Sequence, residues 1–125
     1  MSKTIIHAPQ APAAVGPYSH AVLANNMLYV SGQLPIDPAT GQLSGDISQQ
    51  TSQVMRNLLA IVEHADAGAK DIVKVTIYLT NMNDFATVNE IYASYFTGDY
   101  PARVAIGISA LPKGALVEMD AIVAL

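Results

Sequence analysis

Asp71-Ile72-Val73-Lys74-Val75-Thr76-Ile77-Tyr78-Leu79-Thr80 is the stretch that decides the fold. Val73, Val75, Ile77 and Leu79 fall on one side of it, and Lys74, Thr76 and Tyr78 on the other. A period of two belongs to a strand with one face on a core. The flanking segments change period. Upstream, Val54, Leu58, Ile61 and Ala65 recur at helical spacing, with Met55, Leu59 and Val62 beside them. Asp46 can cap that helix and Gly68 can end it. Downstream, Asp84 can cap a second helix with the apolar face Phe85, Val88, Tyr92 and Tyr95/Phe96, which Gly98 ends.

Working outward, Ile5-Ile6 reads as a short edge strand, and the Pro/Ala-rich run from Ala8 to Pro17 as irregular, extended chain. Tyr18 to Ala24 and Met27 to Ser31 flank Asn25-Asn26, residues that tolerate positive φ and so suit a tight hairpin. Pro35, Pro38, Gly41 and Gly45 mark turns, with Asp37 as a turn former. Arg103 to Ser109 and Leu116 to Leu125 read as two last strands, with Pro112-Lys113-Gly114 turning between them. The order is β-β-β-α-β-α-β-β. It predicts an α+β fold, a mixed sheet with two helices packed on one face, and a second face that a partner subunit covers. No repeat or linker-like stretch interrupts residues 1–125, which read as one domain.

Composition narrows the function classes. The chain has no cysteine, which removes disulfides, thiolate metal sites and thiol nucleophiles. The start lacks a secretory pattern, and no apolar run approaches the roughly 20 residues of a membrane span, so a cytoplasmic protein is expected. Net charge is −4 with only six Lys plus Arg, a poor basis for neutralising phosphates. Charged residues make up 13%, against about 25% in an ordinary domain, which points to apolar surface buried between subunits.

Few residues carry chemistry. His7, His20 and His64 lack ligand spacing and read as ordinary surface or loop histidines; neither a metal nor a cofactor is expected. Of the two arginines, Arg56 lies mid-helix on a solvated face. Arg103 opens an apolar strand and is read as facing the return strand that carries Glu118 and Asp120. There it is either half of an internal ion pair or a clamp for a ligand carboxylate. Glu118, between Val117 and Met119, is a salt-bridge partner or a general acid/base. Tyr18 and Asn89 are ambiguous alone.

Several ordered motifs carry a resemblance over nearly the whole chain. They are Ala14-Val15-Gly16-Pro17-Tyr18, Ser31-Gly32-Gln33-Leu34-Pro35, Asn83 to Asn89, Tyr100-Pro101-Ala102-Arg103-Val104-Ala105-Ile106, Leu111-Pro112-Lys113 and Val117-Glu118-Met119. Together they resemble the signature of the RidA/YjgF family of imine deaminases. The resemblance implies a chorismate-mutase-like fold and a homotrimer with a β-barrel-like centre and sites in the clefts between subunits. It implies that Arg103 and Glu118 are catalytic, and that Arg103, Tyr18, Ser31, Gly32, Asn89 and Ala105 line the substrate site. Many relatives carry a cysteine where this chain has Ala105, so no thiol role operates here.

The implied substrates are 2-aminoacrylate/2-iminopropanoate and 2-iminobutanoate, released by pyridoxal-phosphate-dependent Ser/Thr dehydratases. The implied products are 2-oxo acids and ammonia. Free imines already hydrolyse in water, so the barrier to be lowered is modest and fits a site without metal or cofactor. The alternatives are a non-catalytic binder or sensor of small carboxylates, or an endoribonuclease or translation inhibitor.

Overall fold

Residues 2–125 are described by a computed structural model. The elements are β1 (Thr4–Ile6), β2 (Ala21–Ala24), β3 (Met27–Gln33), α1 (Ile47–His64), β4 (Ile72–Leu79), α2 (Phe85–Ser94), β5 (Ala102–Gly107) and β6 (Val117–Ala124). The six strands form one sheet in the order β1-β2-β3-β6-β4-β5. Only β4 and β5 run parallel, joined through α2; the other neighbours are antiparallel. The predicted element order and the mixed sheet with both helices on one face are what the structure has.

Alternation along the strands sets the two faces. In β6, Val117, Met119, Ala121 and Val123 are buried under α1, while Glu118, Asp120, Ile122 and Ala124 point to the other side. In β4, Val75, Ile77 and Leu79 are fully buried. Val73 departs from the predicted stripe and is 45% exposed. The register slips between Ile72 and Lys74, so Val73 sits in a β-bulge and Ile72 takes the inward place. The face away from the helices leaves Ile5, Tyr29, Val104 and Ile106 exposed.

Local chemistry explains the element ends. Asn25 and Asn26 both adopt positive φ, 52° and 61°, and Ala24 pairs with Met27 across a two-residue hairpin turn. Asp46 caps α1 in a reciprocal capping box with Gln49. The helix stops at Ala65, before Gly68, because Asp66 takes the left-handed conformation itself, with φ 62°. Asp84 makes no side-chain cap on α2; Asn81 caps the preceding 3₁₀ turn through Asn83 N–H.

Buried polar groups on α1 hold the loops against the sheet. Asn57, 1% exposed, donates to the carbonyls of Leu34 and Ile36, both at 2.9 Å, and accepts from Gln53 at 2.9 Å. Gln50 bridges Gly45 O and Leu116 N–H. His20 is no surface histidine: it is 4% exposed, its Nδ1 accepts from Ala8 N–H at 2.9 Å, and its Nε2 donates to Pro12 O at 2.7 Å. It thereby fastens the Pro/Ala-rich strap, 8–17, to the sheet.

Asn57→Ala leaves two partly buried carbonyls unpaired and removes a buried amide, and should cost about 2 kcal/mol or more in urea unfolding. Asp46→Ala, which loses an exposed cap, should cost about 1 kcal/mol. Equal losses would contradict the anchoring role of Asn57.

Candidate functional site

The two groups singled out for chemistry, Arg103 and Glu118, lie on opposite faces of the sheet. Arg103 pairs in register with Val75 and Ala105 with Ile77, so both point to the helix side, where Ala105 packs against the core. The neighbour of β5 is β4, so Arg103 does not face the strand that carries Glu118. β6 lies two strands away, about 10 Å across the sheet. The expected alternative of an internal ion pair with Glu118 or Asp120 is therefore not formed. Instead Arg103 Nη1 donates to Asn89 Oδ1 at 2.6 Å. The guanidinium carbon stands 5.3 Å from the Phe85 ring centre and 5.2 Å from that of Tyr92. Asn89, Tyr92, Tyr100, Pro101 and Arg103 line an open cleft of about 410 Å³.

A second cluster gathers around Glu118. Tyr78 is its register partner on β4, and the Tyr78 hydroxyl donates to Asp120 at 2.8 Å. Partial burial pushes the Glu118 carboxyl above the usual carboxylate range, and the charge of Asp120 adds to the rise. The bond to Asp120, followed by burial and the two nearby acids, raises Tyr78 as well. Between Val30 and Gln33 the ladder with β6 slips by one residue, and this bulge brings Gly32 beneath Glu118. A Cβ on Gly32 would meet the Glu118 carboxylate, so any larger residue there would push that side chain aside. Ser31 Oγ donates to Ser19 O at 2.6 Å, which ties the bulge to the approach to β2. Tyr18, 47% exposed, and Gly32 line a smaller, largely apolar cleft of about 210 Å³ with Val15 and Lys113.

The expected site residues thus fall into two half-sites: Arg103, Asn89 and Ala105 at the β5 edge, and Tyr18, Ser31, Gly32 and Glu118 around the β3 bulge. A single chain does not join them. A larger depression, about 560 Å³, lies over the polar side of α1 near Asp37, Ser48 and Arg56. It is shallow and holds none of these groups, so the two smaller clefts are the better candidates. Among the described residues, no three His, Asp or Glu side chains group closely enough to hold a metal ion. No helix is long and apolar enough to cross a membrane.

Sequence reasoning missed the contacts of Phe85 and Tyr92 with Arg103, having assigned both rings to the core stripe. Their spacing with Asn89, at i, i+4 and i+7, was the available signal, because it sets all three on one helix face.

Folding raises the proton affinity of Glu118, so its ionisation destabilises the native chain as pH rises through the raised pKa. Glu118→Gln should therefore melt higher than wild type at pH 7. The gap should close as pH falls below the unfolded carboxyl value of about 4.3. A lower melting temperature at pH 7 would show a stabilised carboxylate instead.

Comparison with known proteins matches the chain to one family. The family model described as endoribonuclease L-PSP matches residues 8–125. A RutC family protein of Pyrococcus abyssi is 50% identical over 123 residues, 98% of this chain and 97% of that one. A 2-iminobutanoate/2-iminopropanoate deaminase of Bos taurus is 46% identical over 121 residues, 96% of this chain and 88% of that one. A crystal structure of a Rid family protein of unknown function from Yersinia pestis superposes with a TM-score of 0.97 at 48% identity, covering 99% of this chain and 100% of the other. With the motifs, the topology and these relatives in agreement, the chain belongs to the endoribonuclease L-PSP family, the RidA/YjgF family.

Proposed function

We propose that this protein hydrolyses short-chain enamines and imines of 2-amino acids, 2-aminoacrylate/2-iminopropanoate and 2-iminobutanoate, to 2-oxo acids and ammonia. The observation that carries the reading is Arg103. Its guanidinium is held at the rim of an open cleft by a neutral amide and two rings, and among the described residues that line the cleft none is acidic. Such a cation is suited to a ligand carboxylate, which it grips by parallel hydrogen bonds. The deaminase relatives at 43–46% identity support the same reaction class.

The second element is Glu118, whose proton affinity is raised by partial burial and by the charge of Asp120, a shift in the direction a proton-transfer group needs. The enamine first gains a proton at C3 and gives one up from nitrogen to the solvent, becoming the imine. Arg103 fixes the carboxylate and orients C2 toward a water that Glu118 holds. Water adds to C2, and the carbinolamine expels ammonia to leave the 2-oxo acid. Tyr18 packs against or hydrogen-bonds the substrate, Gly32 gives Glu118 its space, and Ser31 and Asn89 shape the two halves. At Ala105 there is no thiol, so a held water is the nucleophile.

Because Arg103 and Glu118 face opposite ways, this mechanism requires a second copy of the chain to supply one half-site. We take the assembly to be a homotrimer in which the open sheet faces pack around a barrel-like centre. The exposed Ile5, Tyr29, Val104 and Ile106 support it, as does the low charge content. The natural source of substrate is a pyridoxal-phosphate-dependent Ser/Thr dehydratase. The family description also names an endoribonuclease. A net charge of −4 with six cations offers little to offset phosphate charge, and the deaminase reading is preferred.

The test couples the protein to a threonine dehydratase and threonine, traps residual imine with semicarbazide and follows 2-oxobutanoate. Arg103→Ala should lose about 10- to 100-fold in kcat/KM. A variant that suppresses the adduct as well as wild type does would remove Arg103 from the site. Gly32→Ala, which displaces Glu118, should lower kcat by about 10-fold or more while 2-oxobutanoate still binds. Native mass spectrometry should give three times the chain mass of 13.2 kDa; a single-chain mass would eliminate the intersubunit site.

A further inference from the structure

Arginine is a flexible side chain, and an exposed one ordinarily samples many rotamers. Ordering it when a ligand arrives costs binding free energy. Arg103 is exposed, yet three groups from one face of α2 surround it. Phe85, Asn89 and Tyr92 occupy i, i+4 and i+7. Asn89 takes one of the five guanidinium N–H groups, and the two rings stand within 5.3 Å of the guanidinium carbon. Four donors remain, more than the two a bidentate carboxylate uses.

Both rings are held by packing, Phe85 by its contact with the core. Tyr92 is 2% exposed and packs on Phe96 at 4.9 Å, and Phe96 on Tyr100 at 6.1 Å. The Tyr92 hydroxyl is buried with no hydrogen-bond partner among the described residues, so what the site uses of this residue is its ring. Burial raises the hydroxyl's pKa, and the Arg103 charge opposes that rise.

We propose that Phe85 and Tyr92 are positioning residues that hold the Arg103 guanidinium by cation–π contact, with its free edge presented to a ligand carboxylate before the ligand binds. The role in carboxylate capture rests on the function proposed above; the clamp itself does not.

Arginine Nε–H spectroscopy separates the two. The chain has only Arg56 and Arg103, so two side-chain signals are expected, and Arg103→Ala identifies its own by loss. In wild type the Arg103 signal should lie upfield through ring currents, without any ligand. Phe85→Leu and Tyr92→Leu should each move it toward the Arg56 position, and Tyr92→Phe should leave it in place. Each leucine variant should weaken 2-oxobutanoate binding and raise KM about two- to fivefold with kcat nearly unchanged, while Tyr92→Phe stays like wild type. If Tyr92→Leu fails to fold, the half-buried Phe85→Leu and the wild-type spectrum still decide. An unshifted Arg103 signal in an active enzyme overturns the clamp alone. A moved signal with unaltered 2-oxobutanoate affinity, or a loss confined to kcat and unfolding stability, makes the rings structural and overturns the positioning role. A shifted signal in a protein without imine turnover overturns the reaction and leaves the clamp standing.

Discussion

Side chains on a strand alternate, and in this protein that period of two governs the chemistry as much as the packing. β6 lies mid-sheet with Val117, Met119, Ala121 and Val123 sealed under α1, so the intervening Glu118 and Asp120 must look the other way. β5 follows β4 in parallel register, and Ala105 joins the core; Arg103, two residues earlier, must share its side. An acid and a cation that both belong to apolar strands are thereby held on opposite faces. The open face carries exposed apolar side chains next to a partly buried acid.

Departures from regular alternation are few, and each re-aims something. The bulge at Val73 turns a valine outward at the start of β4, while Ile72 keeps the core filled. The bulge at Ser31-Gly32 slides the end of β3 so that a residue without a Cβ lies under the Glu118 carboxylate. α1 contributes more than apolar burial. Through Asn57 and Gln50 it satisfies carbonyls and an N–H of the loops that flank this bulge and lead into β6. Unmade, those bonds would leave partly buried polar groups unpaired, at a cost of about 1–3 kcal/mol each at most. His20 does the same for the strap that brings Tyr18 to its cleft.

Much of this was legible in the residues. The period of Asp71 to Thr80, the helical stripes on either side and the Asn25-Asn26 hairpin carry the element order, because local periodicity and turn chemistry are short-range properties. Helix ends were less legible: Gly68 and Gly98 are plausible stops, yet each helix ends earlier, in one case because Asp66 accepts the left-handed turn. His20 reads as an ordinary loop histidine until its two backbone partners, distant in sequence, are brought to it.

The pairing of strands is where sequence reasoning went astray at the site. A strand, a turn and another strand suggest a hairpin, which sets Arg103 opposite Glu118. In the fold β4 lies between β5 and β6. The sequence by itself determined the elements, the apolar stripes, the absence of a thiol and, through its ordered motifs, the family. Only the tertiary structure decided which face each polar group takes, that Phe85, Asn89 and Tyr92 surround Arg103, and that Gly32 lies beneath Glu118. The reason is physical: strand order and bulge register depend on contacts between residues far apart in the chain, and periodicity records only what lies within a few residues.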